Sequence, residues 1–142
     1  NIIENKLSEL GLSWAYYSEK EKLKESQVVI INKIGILANL YKYSDLAYVG
    51  AGFGAGVHSV MEPAVYKNVV SFGPNYQIVD MAVSLVEDEL ASIINNSEDF
   101  VQFLTLLSNP DKLEKYKGKM AHFIREQKLA SDAIIKAIFT DE

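Results

Sequence analysis

The sequence contains no cysteine, only three prolines and only two histidines among its 142 residues. The absence of cysteine excludes disulfides, thiolate zinc sites, iron–sulfur clusters and cysteine nucleophiles. His58 and His122 lie far apart in the sequence and have none of the short spacings that seed a metal site. We therefore expect no metal site in this chain.

Positive charge and long apolar runs are also scarce. The chain has 14 basic and 19 acidic side chains, a net charge of -5 and a pI near 5.1, so it lacks a basic footprint for nucleic acid or anionic lipid. No apolar run approaches the roughly 20 residues of a spanning helix, and there is no signal peptide pattern. We expect a soluble, cytoplasmic segment. Because it begins at Asn1 without a methionine, we also expect it to be a piece of a longer protein.

The composition is that of one globular domain covering residues 1–142. Hydrophobic residues make up 49% of the chain and charged residues 23%, which excludes disordered and low-complexity classes. The length allows one domain of ordinary size and leaves little room for a second.

Short apolar runs alternate with segments of helical periodicity. Residues 27–31 are almost wholly apolar and β-branched, which is typical of a strand buried on both faces of a parallel sheet. The pattern predicts further strands at 12–17, 46–49, 69–72 and 91–94. It predicts helices at 2–10, 36–44, 59–66, 77–86, from 97, from 109 and over about 119–139. This alternation indicates an α/β fold with a Rossmann-like parallel sheet flanked by helices.

Three loops follow predicted strands, at residues 32–35, 50–59 and 73–77. Ligands of open α/β sheets bind outside the carboxyl ends of the strands, so we expect these loops to converge on a site. The second loop holds four of the eight glycines and could point several N–H groups at an anion, aided by the following helix. It matches neither the GxGxxG fingerprint nor the Walker A loop, so tight packing of helix on sheet stays open beside phosphate or nucleotide binding.

The side chains of this loop carry the candidate chemistry. His58 could donate to a phosphate or sugar oxygen, or it could be structural. Ser59 and Glu62 have the spacing of a capping box, but Pro63 disfavours that geometry and could leave the carboxylate free to accept from a ribose diol. Phe53 either stacks on a ligand or folds back onto the core as a loop anchor.

Other polar residues favour structural roles. Asn75 is predicted to cap the helix that follows Gly73 and Pro74. The acidic run 87–89 is predicted to be a solvated loop, and His122 is expected to pack on the final helix. No serine–histidine–acid arrangement and no convincing general base is present.

Three motifs in order suggest a family: IGILANLYKYSDLAYVGAGF, GVHSVMEPAVY and NVVSFGPNYQ. Residues 28–77 resemble the C-terminal, donor-binding half of 3-deoxy-D-manno-octulosonic acid (Kdo) transferases, which are lipopolysaccharide glycosyltransferases of the two-domain GT-B fold. A looser helical match runs to the end of the chain.

The resemblance implies transfer of Kdo from CMP-Kdo to the lipid A precursor, with no metal or other cofactor, at the cytoplasmic face of the bacterial inner membrane. The catalytic carboxylate and the acceptor site would belong to the family's N-terminal half, so the isolated domain is expected to be inactive. The donor-binding positions carried over are Gly35, Ile36, Gly52, Phe53, Gly54, Gly56, His58, Ser59 and Glu62.

The sequence departs from the family pattern at several positions. Ser59 replaces an asparagine, Asn32 and Lys33 replace the usual Asp-Thr, and Ile36 replaces an acidic residue found in many members. The family's basic Pro-Arg-His segment would precede Asn1. Two other interpretations stay open: the donor domain of a GT-B enzyme that uses a UDP-sugar, and a non-catalytic flavodoxin-like module.

Overall fold

The computed structural model describes the backbone of residues 2–139 and the side chains of residues 2–127. The chain forms two compact units, Asn1–Asn39 and Leu40–Glu142. Both contain parallel strands and helices, which confirms the predicted α/β class. The strands form two sheets, where the sequence pattern predicted one.

The first unit is built around a two-stranded parallel sheet. Its elements are α1 (Ile2–Glu9), β1 (Trp14–Tyr16), a 3-10 helix (Lys20–Glu25) and β2 (Val28–Ile30). The strands pair with Trp14 opposite Val28, and Ala15, the central residue of β1, is fully buried. The Tyr16 hydroxyl donates to the Glu4 carboxylate, which ties β1 to α1.

The prediction that residues 27–31 form a strand buried on both faces is wrong. β2 is half-buried at its ends, and Val29 at its centre is 37% exposed. The physical reason is that β2 pairs with β1 in a sheet of only two strands, which is too small to cover both of its faces.

The second unit contains a three-stranded parallel sheet in the order β3-β4-β5. Its strands are β3 (Leu46–Val49), β4 (Val69–Phe72) and β5 (Ala91–Ile93). Its helices are α3 (Met61–Val65), α4 (Asp80–Glu87), α5 (Ser97–Leu104) and α6 (Pro110–Phe139); α2 (Leu37–Leu40) spans the boundary with the first unit. All four residues of β4 are buried, as expected for the central strand.

The core of the second unit lies on both sides of this sheet. Phe72, Leu85 and Met120 are almost completely buried and bring β4, α4 and α6 together. A second cluster joins β4 to α5 and α6 through Val69, Phe103 and Leu113, among others. Burial of these apolar side chains fixes the carboxyl ends of β3 and β4, where the candidate site begins.

Several helices differ from their predicted bounds. The helix expected at 59–66 covers only Met61–Val65, and Val57 and Val60 ahead of it are buried in the core outside any helix. The helix expected at 77–86 begins at Asp80. The two helices expected from 109 and 119 are one helix of 30 residues, and Gly118 lies inside it without breaking it.

None of the helices within residues 2–139 combines the length and apolar character that crossing a bilayer requires. A further prediction from the sequence is that the final helix crosses back to a partner domain, which would account for an apolar face left exposed on it. The side chains of its second half, from residue 128, lie outside the described residues.

Candidate functional site

Two of the three predicted site loops meet at the carboxyl ends of β3 and β4. The backbone N–H of Asn75 donates to the Gly52 carbonyl at 2.8 Å, and the N–H of Val57 donates to the Asn75 carbonyl at 3.0 Å. The Asn75 side-chain Nδ2 donates to the Gly54 carbonyl at 3.1 Å. Asn75 therefore fastens the glycine-rich loop, residues 50–60, to the loop after β4.

Gly52 is required by close packing of backbone on backbone. It is buried, and a Cβ at this position would lie 2.5 Å from the backbone nitrogen of Gly73. The reverse also holds, since a Cβ on Gly73 would lie 2.6 Å from the Gly52 carbonyl carbon. The packing interpretation thus applies to Gly52, and this position has no free face to offer a ligand.

The other loop glycines have different roles. Gly56 has a φ of +110°, which L side chains rarely adopt, and a Cβ there would also lie 2.5 Å from the Ile78 Cδ1. Gly54 is exposed, its φ is not positive, and a Cβ would meet only the Ala51 carbonyl oxygen at 4.0 Å. Among Gly52, Gly54 and Gly56, Gly54 is thus the glycine at which an external group can approach bare backbone.

The loop keeps its shape through its own hydrogen bonds. The N–H groups of Gly54 and Gly56 both donate to the Ala51 carbonyl, at 3.0 and 3.3 Å, and Ala51 itself adopts a φ of +69°. A left-handed conformation at a non-glycine residue costs roughly 1–2 kcal/mol, so the surrounding contacts must hold it in place. The exposed parts of the loop are consequently presented on a fixed backbone.

His58 and Ser59 are exposed at the end of this loop. Within the part of the chain that the structure describes, their backbone N–H groups and side chains donate no hydrogen bond. They lie ahead of α3, which has only five residues, so the predicted contribution of a helix dipole is small. Their donors are available to an anion such as a phosphate.

Glu62 is exposed in the first turn of α3, and the predicted capping box does not form. The N-cap is Val60, not Ser59, and no side chain caps the helix. Burial, together with the negative charge of Glu62, raises the pKa of the Tyr41 phenol. The Glu62 carboxylate makes no hydrogen bond or ion pair among the described residues, which leaves it able to accept from hydroxyl groups.

Phe53 is 58% exposed, so it does not anchor the loop by folding onto the core. Ile78, which contacts the Gly56 position from the loop after β4, is also largely exposed. Each of the two loops thus exposes one large apolar side chain. An aromatic ring at such a position can stack on a planar ligand.

The sequence pattern predicted that Asn75 caps a helix, and it did not indicate that Asn75 joins the two loops. α4 begins five residues later with Val79 as its N-cap, and the Asn75 amide bonds to a loop 21 residues away. The Gly-Pro-Asn motif after a buried strand indicated a polar turn residue, but no local signal named its distant partner. Tyr41 was also missed, since only the folded structure brings it near Glu62.

Gly35 and Ile36 belong to the first unit, after β2. Gly35 has a φ of +82° and open space around its Cα, and Ile36 is half-buried. The convergence of their loop with the other two, and their contact with a nucleotide, stay predictions.

Two remaining sequence predictions concern charged residues. The acidic run 87–89 is exposed, as predicted. His122 does not pack inside the protein: it is exposed and lines a cleft with Asp88 and Glu126. No three His, Asp or Glu side chains within the described residues are grouped so that they could hold a metal ion.

Comparison of the sequence with curated proteins finds glycosyltransferases. The chain is 29% identical over 139 residues to a bifunctional glycosyltransferase/methyltransferase of Fusobacterium nucleatum, a match that covers 94% of this chain and 21% of that protein. It is 29% identical over 133 residues to the 3-deoxy-D-manno-octulosonic acid transferase of Chlamydophila psittaci, covering 92% of this chain and 31% of that protein. The transferase of Chlamydia pneumoniae is 28% identical, with 96% and 32% covered.

These relatives are much longer than this chain, which spans about a fifth to a third of their length. No family model matches the sequence. Several further transferases with the same description, from Rickettsia species, match 77–80% of the chain at 24–26% identity.

Comparison with solved structures finds the C-terminal CMP-Kdo binding domain of WaaA from Acinetobacter baumannii. The TM-score is 0.72 at 21% sequence identity, with 83% of this chain and 64% of that chain covered. The fold is therefore that of this solved domain. The chain is similar over most of its length to 3-deoxy-D-manno-octulosonic acid transferases, which confirms the resemblance predicted from its sequence motifs.

Proposed function

We propose that this chain is the donor-binding part of a Kdo transferase and holds CMP-Kdo at the glycine-rich loop. The observation that carries this proposal is the similarity to Kdo transferases over most of the chain, together with the likeness in fold to a solved CMP-Kdo binding domain. The region that carries the three family motifs contains both loops joined by Asn75.

The exposed groups of the loop suit the parts of a nucleotide sugar. The donors of His58 and Ser59 fit the phosphate, which carries the negative charge of the donor. The Glu62 carboxylate fits the two ribose hydroxyls, as acidic residues do in other nucleotide-binding folds. Phe53, at 58% exposure, is available to stack on the cytosine ring.

This arrangement would act on the leaving group of the reaction. When the bond between Kdo and CMP breaks, negative charge grows on the phosphate of CMP. Hydrogen-bond donors that are already fixed in place stabilise that charge without having to reorganise, and the Asn75 bonds supply the rigidity. Ser59 stands where the family has asparagine and keeps a hydrogen-bonding group with a shorter reach.

The rest of the reaction belongs to other parts of the longer enzyme. The catalytic carboxylate and the site for the lipid A precursor would lie in an N-terminal domain, so that the whole protein is a GT-B glycosyltransferase at the inner membrane. Residues 1–142 alone would bind the donor and transfer nothing.

Calorimetric titration with CMP tests the assignment. Glu62→Gln removes the charged acceptor, and we expect CMP to bind about 10-fold or more weakly, the loss typical of one hydrogen bond to a charged group. Glu87→Gln is the matched control, because Glu87 is exposed at the end of α4.

The two histidines provide a second matched pair. His58→Ala should weaken CMP binding several-fold, whereas His122→Ala on α6 should leave it unchanged. Thermal unfolding of all four variants verifies that each is folded. If the control variants weaken CMP binding as much as Glu62→Gln and His58→Ala do, the assignment of the site to this loop is wrong.

A further inference from the structure

A polar cleft of about 490 Å³ lies at the amino ends of β3 and β4 in the second unit. It is formed by the turn before β3, the turn before β4 and the first half of α6. Its charged and aromatic lining residues are Lys42, Tyr43, Asp45, Tyr66, Lys67, Glu114 and Lys117. The glycine-rich loop follows the carboxyl end of β3, so this cleft is a separate place on the protein.

The cleft carries an excess of positive charge, although the chain as a whole has a net charge of -5. The Lys117 Nζ lies 2.6 Å from the Asp45 Oδ1 and 3.5 Å from the Glu114 Oε1, so both acids share one lysine. Lys42 and Lys67 are exposed, and neither forms an ion pair within residues 2–127. Two ammonium groups are therefore left without an acidic partner.

The two turns of the cleft are fastened to each other by Asn68, which is only 1% exposed. Its Nδ2 donates to the carbonyls of Tyr41 and Ser44 at 3.0 Å each, and the Ser44 hydroxyl donates to its Oδ1. Because Asn68 directly follows Lys67, these bonds hold the backbone of Lys67 beside the turn that carries Lys42. A ligand of the cleft consequently meets walls that are already in place.

Lys67 stands at a position that favours glycine. Its φ is +64°, and it ends α3 in a Schellman motif, in which the Lys67 N–H donates to the Ala64 carbonyl at 2.8 Å and the Asn68 N–H to the Pro63 carbonyl at 3.1 Å. Glycine adopts this conformation freely, whereas a residue with a Cβ is strained there. The Lys67 ammonium makes no contact in the described region that would offset this strain, and a role in binding accounts for it.

We propose that this cleft binds a phosphate monoester and that Lys42 and Lys67 hold its dianionic phosphate. The two ammonium groups without acidic partners match its two negative charges. Tyr43 and Tyr66, which are 78% and 40% exposed, carry further hydroxyl donors in the same lining. Lys117 remains with the two acids and reduces their repulsion of the phosphate.

An NMR chemical-shift titration with glycerol 3-phosphate at constant ionic strength tests this proposal. We expect shifts at residues 42–45 and 66–68. Lys42→Gln and Lys67→Gln should each weaken binding roughly 5- to 10-fold, the loss expected for one hydrogen bond from a charged group. Lys24→Gln, at an exposed lysine of the first unit, is the matched control and should leave the affinity unchanged.

The titration separates this cleft from the site proposed for CMP-Kdo. Shifts confined to residues 52–62, or an equal loss of affinity in Lys24→Gln, would overturn the proposal without affecting the assignment of the glycine-rich loop. Conversely, a failure of CMP to bind would leave this proposal standing, because it does not rest on donor binding.

Lys67→Gly separates binding from folding. Glycine removes the ammonium group and relieves the left-handed backbone, so this variant should melt at the same temperature as the parent or higher. It should nevertheless bind glycerol 3-phosphate as weakly as Lys67→Gln does. Affinity equal to that of the parent would overturn the proposal.

Sedimentation with phosphatidylcholine vesicles, with and without phosphatidic acid, identifies the source of the phosphate group. Sedimentation that requires phosphatidic acid and is lost in Lys67→Gln identifies a lipid headgroup. Binding of glycerol 3-phosphate without sedimentation identifies a soluble phosphate ester. If the chain binds neither glycerol 3-phosphate nor phosphatidic acid vesicles, the proposal is wrong.

Discussion

Replacing Gly52 with alanine should destabilise the protein strongly, while the same replacement at Gly54 should not. The new methyl group at position 52 would lie 2.5 Å from the Gly73 nitrogen and 2.7 Å from its Cα. Both neighbours are backbone atoms, so the clash cannot be relieved by rotating a side chain. At Gly54 the new methyl group would meet only one atom, at 4.0 Å.

The magnitude follows from the cost of overpacking. Inserting a methyl group into a well-packed site costs about 1–3 kcal/mol, and a backbone obstacle belongs at the upper end, so we expect about 3 kcal/mol for Gly52→Ala. For a chain of this size, that corresponds to a fall in melting temperature of roughly 10 °C. Gly54→Ala should stay within about 0.5 kcal/mol of the parent.

Thermal unfolding followed by circular dichroism measures both variants under one set of conditions. Gly73→Ala should be as destabilised as Gly52→Ala, and the double variant should lose less than the sum, because both methyl groups address the same contact. A melting temperature of Gly52→Ala within about 2 °C of the parent would refute the packing argument, as would an equal fall for Gly54→Ala.

Three further predictions concern buried or partly buried polar groups. Asn68 is only 1% exposed, and its side-chain amide donates to the carbonyls of Tyr41 and Ser44 at 3.0 Å each. Asn68→Ala should therefore lower the denaturant midpoint by the equivalent of about 3 kcal/mol in the free energy of unfolding. Asn39→Ala, at an exposed position, should not lower it. The buried Ser71 Oγ has no partner in the described region, so Ser71→Ala should leave stability unchanged or raise it by up to about 1 kcal/mol; a loss above that would contradict this. Burial and the negative charge of Glu62 raise the pKa of Tyr41 in the folded protein above its value in the unfolded chain. As the pH rises through about 10, the unfolded chain therefore loses this phenol proton before the folded protein does, and the free energy of unfolding should fall. In denaturant titrations at pH 8 and pH 11, Tyr41→Phe should show a smaller fall than the parent, and an equal fall would contradict the assignment.

The sequence predicted the strands of the second unit well because their signals are local. The predicted strands 46–49 and 69–72 coincide with β3 and β4, since each is an apolar run bounded by turn-forming residues. The start of α3 was misplaced because Val57 and Val60 are buried in the core ahead of it, and this depends on tertiary contacts that a local pattern does not contain.

For the same reason, the candidate site could be predicted only in part from the sequence. The motifs identified His58, Ser59 and Glu62, and all three are exposed at the loop. They did not reveal that Asn75 holds the loop, because its hydrogen bond to Gly54 spans 21 residues. The sequence left packing and phosphate binding open for the glycine-rich loop as a whole, whereas the structure separates Gly52, which packs against Gly73, from Gly54, which is open.

An NMR chemical-shift titration of the isotope-labelled chain with CMP, UMP, UDP and NADH at equal concentrations tests donor binding most directly. If the glycine-rich loop binds the donor, CMP produces the largest shifts and these concentrate at residues 52–62, while the amides around His122 stay unchanged. Equal or larger shifts with a uridine nucleotide would instead indicate another sugar donor. The absence of shifts at residues 52–62 with CMP would mean that this loop does not bind the donor.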